Sequence, residues 1–404
     1  MIRLCCMLIL LVCWSATGAG QSTQSSDDEW LDLQADVFRY ETINGAAVTK
    51  LSGNVRLENG DVTLTCRRGT VFSRESRYEF TGDVRIEDDR QVLESQHVVY
   101  RETENRFYCE RAFTLTRGDT VLQANRGVYD RDLGMATATG NVVYRESSLS
   151  AQSDSAAWDD SRRRIDIIGN VTLALPDDDV RIFGQAAFAL PDSQQTEVTG
   201  KPRLVRRRAG SLPPMIVTGD TLKFWRTPFR LTVIGNARVQ QDSLLATGIQ
   251  VQYQRSDSVD TMALRGNPQI VDRGQILDGE IIDVIMQQDT LRSVRAEGRA
   301  EARSLVQPVT DDSLQNILHG TTITMQFVAG DLKEMAAVRN AESLYYSVEN
   351  GRMTGGNHVL GEAITVEFSQ GAFEQVNVDG TGSGTYYPPH LMEQMISEIQ
   401  GPHE

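Results

Sequence analysis

The nine residues Ile165-Asp166-Ile167-Ile168-Gly169-Asn170-Val171-Thr172-Leu173 contain the pattern that decides the fold. Apolar residues alternate with other residues on both sides of the glycine, and this alternation is typical of a β-strand with one buried face. Glycine reaches backbone angles that other residues avoid, so a glycine inside a strand indicates a kink or a bulge. We therefore predict a strand that bends at Gly169 and turns the apolar side chains of both arms to the same side.

The bent-strand pattern recurs along the chain and alternates with a second pattern. In the second pattern an apolar residue or Ala comes first, a small residue lies two places on, and an aromatic or aliphatic residue takes the eighth place, as in residues 122–129. Repetition at a nearly constant step is the signature of a repeat architecture. Gly followed by Asn or Asp marks the first pattern at Gly53, Gly82, Gly140, Gly169, Gly235 and Gly266. The small residue of the second pattern occurs at steps of 29 to 41 residues, at Ala35, Cys66, Ser95, Ala124, Ser153, Gly184, Gly219, Gly248, Gly279, Gly320 and Gly361.

Both patterns predict bent strands joined by tight turns. In the second pattern the apolar places shift from odd to even, so a bulge or corner is needed to keep both halves facing inward. Polar turn residues such as Asn59-Gly60 lie between alternating apolar runs, which is a strong hairpin signal. We predict an all-β protein, an elongated β-jellyroll of stacked, bent antiparallel strands in about eleven two-strand repeats. A parallel solenoid with one coil per repeat is the alternative, and the polar turns that come twice per repeat favour hairpins.

The two ends of the chain differ from the repeats. Residues 1–20 are typical of a signal peptide, with one positive charge, an apolar run over residues 4–14 and small residues after it. The run is shorter than the roughly 20 residues that a membrane-spanning helix needs. We expect an exported chain with β-repeat regions at residues 30–205 and 206–388, the second continuous with the first. A short tail at residues 389–404 is the one place with helical spacing.

Charge and cysteine content narrow the class of protein. The net charge is −15 with acidic and basic residues interspersed, which argues against binding of nucleic acid. Two cysteines lie outside the predicted signal peptide, Cys66 and Cys109. Their predicted strands are three spacings apart, roughly 14 Å, whereas a disulfide needs about 4.4–6.8 Å between Cα atoms. We predict free thiols.

Aromatic residues form a stripe that is the candidate site. The stripe has two interpretations, a closed packed core or an apolar trough that accepts acyl chains at roughly 0.8 kcal/mol per buried methylene. No catalytic motif, cofactor fingerprint or histidine pair at metal-ligand spacing accompanies it. We therefore expect neither an enzyme nor a metal or cofactor site. The candidates for the lining of a lipid groove are Tyr40, Phe80, Tyr100, Tyr129, Trp158, Phe224 and Tyr253.

The Gly-Asn-Val corners, alternating with segments of the form Leu-x-Ala-x-x-apolar-x-Tyr, resemble the OstA/LptA family of periplasmic lipopolysaccharide-transport proteins. The resemblance extends over residues 33–378. It implies a taco-shaped jellyroll whose hydrophobic groove holds the acyl chains of lipopolysaccharide. It also implies a periplasmic location, association with the outer membrane, and edge-to-edge contact with transport components of the inner and outer membranes. The chain departs from the family pattern where Arg111 and Arg339 stand in place of the expected glycines.

Two functions from different classes follow from these observations. The first is a periplasmic lipid-binding bridge that carries lipopolysaccharide or a related lipid toward the outer membrane. The second is a structural or adhesive β-repeat rod with a dry, closed core and no lipid ligand. A β-helical enzyme that acts on carbohydrate is disfavoured, because no charged cluster repeats on one face.

Overall fold

The computed structural model describes residues 32–59, 62–89, 91–130, 132–146, 148–159, 161–175, 179–207, 213–288, 290–306, 314–349, 352–369 and 372–391. The predicted signal peptide and the predicted helical tail beyond residue 391 lie outside these residues. Within them, the regular structure is β-strand apart from short 3-10 turns at Ser73–Glu75, Glu102–Glu104, Pro191–Ser193 and Pro389–Leu391. The all-β prediction is confirmed. The chain divides into two compact units, unit 1 ending at Asp192 and unit 2 beginning at Ser193.

Unit 1 consists of antiparallel strands, many of which are long and continue through a corner. Each strand pairs with the next along the chain or with one close to it, which is the pattern of hairpins. The alternative of one parallel coil per repeat is therefore wrong. The strands are β1 (Asp32–Gln34), β2 (Val37–Ile43), β3 (Ala46–Asn59), β4 (Val62–Phe72), β5 (Arg77–Glu87), β6 (Val92–Arg101), β7 (Arg106–Cys109), β8 (Phe113–Arg117), β9 (Thr120–Ala124), β10 (Arg126–Asp130), β11 (Met135–Glu146), β12 (Leu149–Asp159), β13 (Arg164–Leu175) and β14 (Val180–Leu190).

Unit 2 repeats the antiparallel pattern with longer strands toward its end. The two stretched steps of the sequence run from Gly279 to Gly361 and cover β24 to β28, of which β27 and β28 have 19 and 18 residues. The strands are β15 (Gln195–Thr199), β16 (Arg203–Arg206), β17 (Met215–Thr218), β18 (Thr221–Trp225), β19 (Arg230–Gln241), β20 (Leu244–Gln254), β21 (Asp260–Arg265), β22 (Gln269–Asp272), β23 (Gln275–Asp278), β24 (Ile281–Gln287), β25 (Thr290–Leu305), β26 (Gln315–Val328), β27 (Asp331–Glu349), β28 (Arg352–Ser369), β29 (Ala372–Asp379) and β30 (Ser383–Tyr387).

The predicted bends are corners in the strands. In β13 the pairing register shifts between Ile168 and Val171, and Gly169 and Asn170 both have left-handed φ angles, +82° and +48°. The corner divides each unit into two half-sheets. Half-sheet B contains the arms that precede the corner in strands such as β3, β13, β19 and β27, together with their partners. Half-sheet A contains the arms that follow the corner in the same strands, together with theirs.

A side chain from the neighbouring strand packs over the corner glycine. At Gly235, where φ is +72°, a Cβ atom would clash with the carboxylate of Asp220. The next residue, Asn236, donates from Nδ2 to the same carboxylate at 3.0 and 3.2 Å. Asn170 donates to Asp154 in the same way at 2.9 Å. The corner thus needs glycine for its backbone angle and for the close approach of the carboxylate.

The corners at Arg111 and Arg339, where the pattern predicts glycine, are built differently. Arg339 has a left-handed φ of +64° and is followed by Asn340 at +54°, so β27 turns its corner without glycine. At Arg111 the strand is interrupted instead, and the two arms are the separate strands β7 and β8. A non-glycine residue with a left-handed φ costs roughly 1 kcal/mol or more.

Gly235→Ala is expected to lower the free energy of unfolding by about 3 kcal/mol, because backbone strain and the clash with Asp220 add together. Gly330→Ala is the matched control in the same unit. Gly330 has a φ of +92° but open space where a Cβ would lie. Gly330→Ala should lower the free energy of unfolding by about 1 kcal/mol, through backbone strain alone. Urea unfolding followed by circular dichroism measures both values, and equal losses would show that the corner packing contributes nothing.

Candidate functional site

The inward face of half-sheet B in unit 2 carries two continuous rows of side chains. Directly paired residues of antiparallel strands point to the same face, so the register defines the rows. The row beside the corner is apolar throughout and 0–1% exposed: Val198, Leu222, Val233, Val251, Leu264, Ile282, Ala296, Ile323, Ala337 and Ile364. The row nearer the strand ends is Thr196, Phe224, Leu231, Tyr253, Met262, Val284, Val294, Met325, Met335 and Val366.

Half-sheet A of unit 2 supplies a third row. Large aliphatic side chains alternate irregularly with three small ones, Ala246, Ala302 and Ser343. Its members are Leu204, Val217, Val239, Ala246, Ile270, Leu277, Ala302, Leu318, Ser343 and Val359. The two half-sheets meet through Tyr345 of half-sheet A and Phe373 of half-sheet B, whose rings stack at 5.0 Å. These three rows therefore lie on the inside of the bend. A second buried cluster, Val306, Leu344 and Tyr346, lies on the other face of half-sheet A.

Unit 1 has the same arrangement, and its half-sheets share one core. That core joins Leu64 and Ile86 of half-sheet A to Phe80 and Val98 of half-sheet B. In half-sheet B the row nearer the strand ends is rich in aromatic residues, and the rings of Tyr100 and Phe107 stack at 4.4 Å. This row is Tyr78, Tyr100, Phe107, Tyr129, Ala136, Trp158, Ile165 and Ala189.

The structure places all seven predicted residues on inward faces. In unit 1, Tyr100, Tyr129 and Trp158 share the aromatic row, and Phe80 lies one row closer to the corner. In unit 2, Phe224 and Tyr253 flank Leu231 in one row. Their burial differs. Phe80, Tyr100, Phe224 and Tyr253 are buried, whereas Tyr129 and Trp158 are half-buried.

Tyr40 differs from the other candidates. By register it belongs to the aromatic row, because it pairs with Thr49 and through it with Val71 and Tyr78. Its side chain is nevertheless 77% exposed. The strand that carries it, β2, pairs with β3 along one side. Tyr40 therefore lies at an edge of the inner face and not inside it, so the sequence pattern gave its face correctly but not its burial.

The small residues of the second pattern have a structural role at the corners. Cys66, Ser95 and Ser153 each donate from the side chain to the backbone carbonyl two residues further on, at 3.3, 3.2 and 3.0 Å. This bond spans the register shift at the corner. The other residues at this place are Ala or Gly, which cannot form this bond, so the shared property is a small side chain. At Gly248 an added Cβ would lie 3.0 Å from the carbonyl oxygen of Arg265.

Cys66 and Cys109 are free, as predicted, and both are buried. Burial raises the pKa of the Cys66 thiol from its usual value near 9 to about 11, and that of Cys109 to about 12. The thiolate is the reactive form. At about pH 8 we expect both thiols to react at least ~100-fold more slowly with a thiol reagent in the folded chain than in urea.

The same shifts predict loss of stability in alkali. The folded chain keeps its thiol protons at a pH where the unfolded chain loses them, so the stabilisation is complete below about pH 9 and falls as the pH rises toward 11 and 12. Burial also raises the pKa of Tyr253 and Tyr346, which adds to the loss at higher pH. Urea midpoints measured from about pH 8 to 11 test this, with the Cys66→Ala, Cys109→Ala double variant as control. A midpoint that stays constant in both proteins would contradict the burial of the thiols.

The inner faces of the described residues are mainly apolar. The described residues contain no group of three or more His, Cys, Asp or Glu side chains arranged to hold a metal ion. No helix in this part of the chain is long and apolar enough to cross a membrane. Many ion pairs lie at the surface, as with Arg85 beside Glu87 and Glu94, whereas Asp130, which pairs with Arg106, is buried. What the inner faces offer chemically is contiguous apolar area.

No protein-family model and no curated protein matches this chain. Among solved structures it is similar to LptH, the LptA-homologous periplasmic component of the lipopolysaccharide transport device of Pseudomonas aeruginosa. The two share 16% identical residues over 33% of this chain and 74% of that chain, with a TM-score of 0.17. A TM-score this low supports no structural argument, so the functional conclusion depends on the residues of the chain itself.

Proposed function

We propose that this protein is a periplasmic lipid-binding bridge that holds the acyl chains of lipopolysaccharide, or of a related lipid, between its half-sheets and carries them toward the outer membrane. The observation that carries the proposal is the row nearer the strand ends on the inward face of half-sheet B, which in unit 2 runs without a break of apolar or aromatic side chains from Phe224 to Val366. An acyl chain lying along such rows meets apolar contacts at each strand, spaced about 4.8 Å apart. The resemblance of the Gly-Asn corners to OstA/LptA proteins agrees with this function.

The energy of acyl-chain burial is sufficient for tight binding. A chain of about 14 carbons gains roughly 11 kcal/mol when it leaves water, before the costs of ordering it are subtracted. The half-buried part of the inner face is the place for first contact, because little protein surface has to move there. In unit 1 this part lies around Tyr129, Ala136 and Trp158, since the same row at Tyr100 is already buried.

A structural rod without lipid is the second candidate. The observation that favours it is the row beside the corner in unit 2, where side chains such as Ile282 and Ile323 are fully buried by protein alone. This row behaves as an ordinary packed core. The two functions therefore differ in the rows nearer the strand ends, which are open to lipid in the bridge and closed in the rod.

Sheet edges are the proposed contacts with transport components of the inner and outer membranes. In half-sheet B, the first strand of unit 1 is β2 and the last strand of unit 2 is β29. Both carry inward apolar residues that remain exposed, Phe38 in β2 and Val376 and Val378 in β29. Both pair with a described neighbour along one side, β3 and β28 respectively. Addition of a strand from a partner would cover these residues and extend the apolar rows.

Filling the inner face of unit 1 should displace the lipid. Ala136 is a small residue between Tyr129 and Trp158 in the aromatic row, and Thr137, the next residue, is exposed on the opposite face. Ala136→Trp puts an indole into the space for an acyl chain and adds no charge. Thr137→Trp adds the same group outside.

The measurement is mass spectrometry of the lipid that is extracted from the purified mature protein. We expect acylated lipid from the wild type and from Thr137→Trp, and at least about tenfold less from Ala136→Trp, because the displaced methylenes each contribute roughly 0.8 kcal/mol. Circular dichroism checks that each variant keeps its β-structure. A folded wild type that yields no lipid would favour the closed rod.

A further inference from the structure

The C-terminal edge of unit 2 exposes apolar residues on its inward side. This edge comprises β29, the last strand of half-sheet B, and β30, the last strand of half-sheet A, and each has its described neighbour, β28, along one side. On β29, Val376 and Val378 pair with Val366 and Ile364, so they continue the inward rows. Ile364 is fully buried and Val366 is 8% exposed, whereas Val376 and Val378 are 37% and 40% exposed. Burial of the inward face therefore ends between β28 and β29.

Aromatic residues at the same edge are exposed as well. Phe373 of β29 stacks on Tyr345 of β27 and is 42% exposed. Tyr386 of β30 pairs with Asn357, and Asn357 pairs with Tyr345, so the register places Tyr386 on the inward face of half-sheet A. The Tyr386 side chain is 58% exposed. Four exposed inward residues, which we call the end patch, therefore span both half-sheets: Phe373, Val376, Val378 and Tyr386.

The chain leaves this edge through a turn that remains beside it. Strand β30 ends at Tyr387, and the 3-10 turn Pro389–Leu391 lies against β28. The Leu391 N–H donates to the Pro388 carbonyl at 2.9 Å, and the Leu391 side chain is 37% exposed. The residues that follow, 392–404, lie outside the described part of the chain. They begin next to a turn that contacts the strand with which both edge strands pair.

The sequence of the tail is typical of an amphipathic helix. Pro389 stands where proline is favoured at the start of a helix, and Gly401-Pro402 is a typical helix end. Between them, apolar residues recur at the spacing of one helical face, and the other residues are polar or acidic. The apolar residues are Leu391, Met392, Met395, Ile396 and Ile399. A helix over residues 389–400 would be about 18 Å long.

The end patch provides the surface that such a helix needs. A helix of this length is marginal alone in water, so it requires a partner for its apolar face. Packed sheet faces lie about 10 Å apart, so the helix is long enough to reach from one half-sheet to the other. Among the described residues of β28, β29 and β30, the outward faces show one exposed large apolar residue, Leu360. The apolar area beside the turn is therefore on the inward side.

We propose that residues 389–400 form an amphipathic helix that docks on the end patch and closes the C-terminal end of the apolar interior. Repeat architectures need a terminal element that covers the apolar face of the last repeat, and the tail is the segment of this chain in position to do so. The inference does not depend on lipid binding. A partner strand that pairs with β29 would cover Val376 and Val378 too, so it would have to displace the tail.

Labelling of single introduced cysteines with a thiol reagent tests the docking in the full-length mature chain. Val376→Cys places a thiol in the end patch, and Gln375→Cys places one at the preceding residue, which is exposed on the outward face of β29. The native thiols of Cys66 and Cys109 are buried and react slowly. Each labelling rate is divided by the rate of the same variant in urea. Docking of the tail should make this ratio at least about tenfold lower for Val376→Cys than for Gln375→Cys.

Two changes in the tail provide a matched pair. Met395→Glu with Ile396→Glu puts two charges on the apolar face, and Gln394→Glu with Ser397→Glu puts the same two charges on the polar face. The first change should raise the labelling ratio of Val376→Cys to that of Gln375→Cys, and the second should leave it low. Circular dichroism checks that every variant keeps its β-structure.

Every other outcome contradicts the docked tail. Equal ratios for Val376→Cys and Gln375→Cys in the chain with an unchanged tail would overturn the proposal, and this comparison needs no tail variant. Protection that persists after the change to the apolar face, or that is lost after either change, would also overturn it. Protection that weakens as the protein is diluted would identify a second copy of the chain as the occupant and contradict the tail.

Discussion

Ile282→Asp is expected to prevent folding of unit 2, whereas Ile285→Asp on the same strand is expected to be tolerated. Ile282 is fully buried in the row beside the corner, between Leu264 and Ala296. A carboxylate there loses its hydration and finds no polar partner, and the missing apolar volume adds a cavity. The sum of about 5 kcal/mol or more is comparable with the whole stability of an ordinary domain.

Ile285 is the control because it is three residues further along β24 and 41% exposed. Its replacement by Asp should change the free energy of unfolding by less than about 1 kcal/mol. Soluble yield, circular dichroism and urea unfolding of the two variants measure the difference. Ile282→Ala replaces the Asp variant in the comparison if that variant cannot be isolated. It should lower the free energy of unfolding by about 3 kcal/mol. Similar behaviour of the two Asp variants would show that the inward rows are assigned to the wrong face.

Much of the fold could be predicted because its repeat has a simple physical basis. A strand has a period of two, so the alternation around Gly169 fixes which side chains share a face. A left-handed corner favours glycine, so the Gly-Asn pairs locate the bends. These two rules suffice to bring Tyr100, Tyr129 and Trp158 into one row. The slip in the second pattern also predicts the bulges, since Cys66 and Ser153 span them with side-chain hydrogen bonds.

Two kinds of feature could not be predicted from the sequence. These are the exposure of residues on edge strands and the contacts between half-sheets. The exposure of Tyr40 follows from its edge strand, and nothing in the repeat marks a strand as an edge. The stack of Tyr345 on Phe373 joins two different half-sheets, and it depends on the lengths of both arms. Arg339 shows that a corner can form without the glycine on which the pattern depends.

The central claim is that acyl chains occupy the inward rows nearer the strand ends. Photo-crosslinking in cells tests it most directly, with the photoreactive residue placed at Trp158 or Tyr253. The controls are the exposed, outward positions Thr137 and Gln252, of which Gln252 is the neighbour of Tyr253 in β20. The account predicts lipopolysaccharide or related lipid adducts at Trp158 and Tyr253, and few or none at the two controls. If folded variants give no lipid adduct at either inward position, or equal adducts on both faces, the inner face is a closed core and the bridge function is wrong.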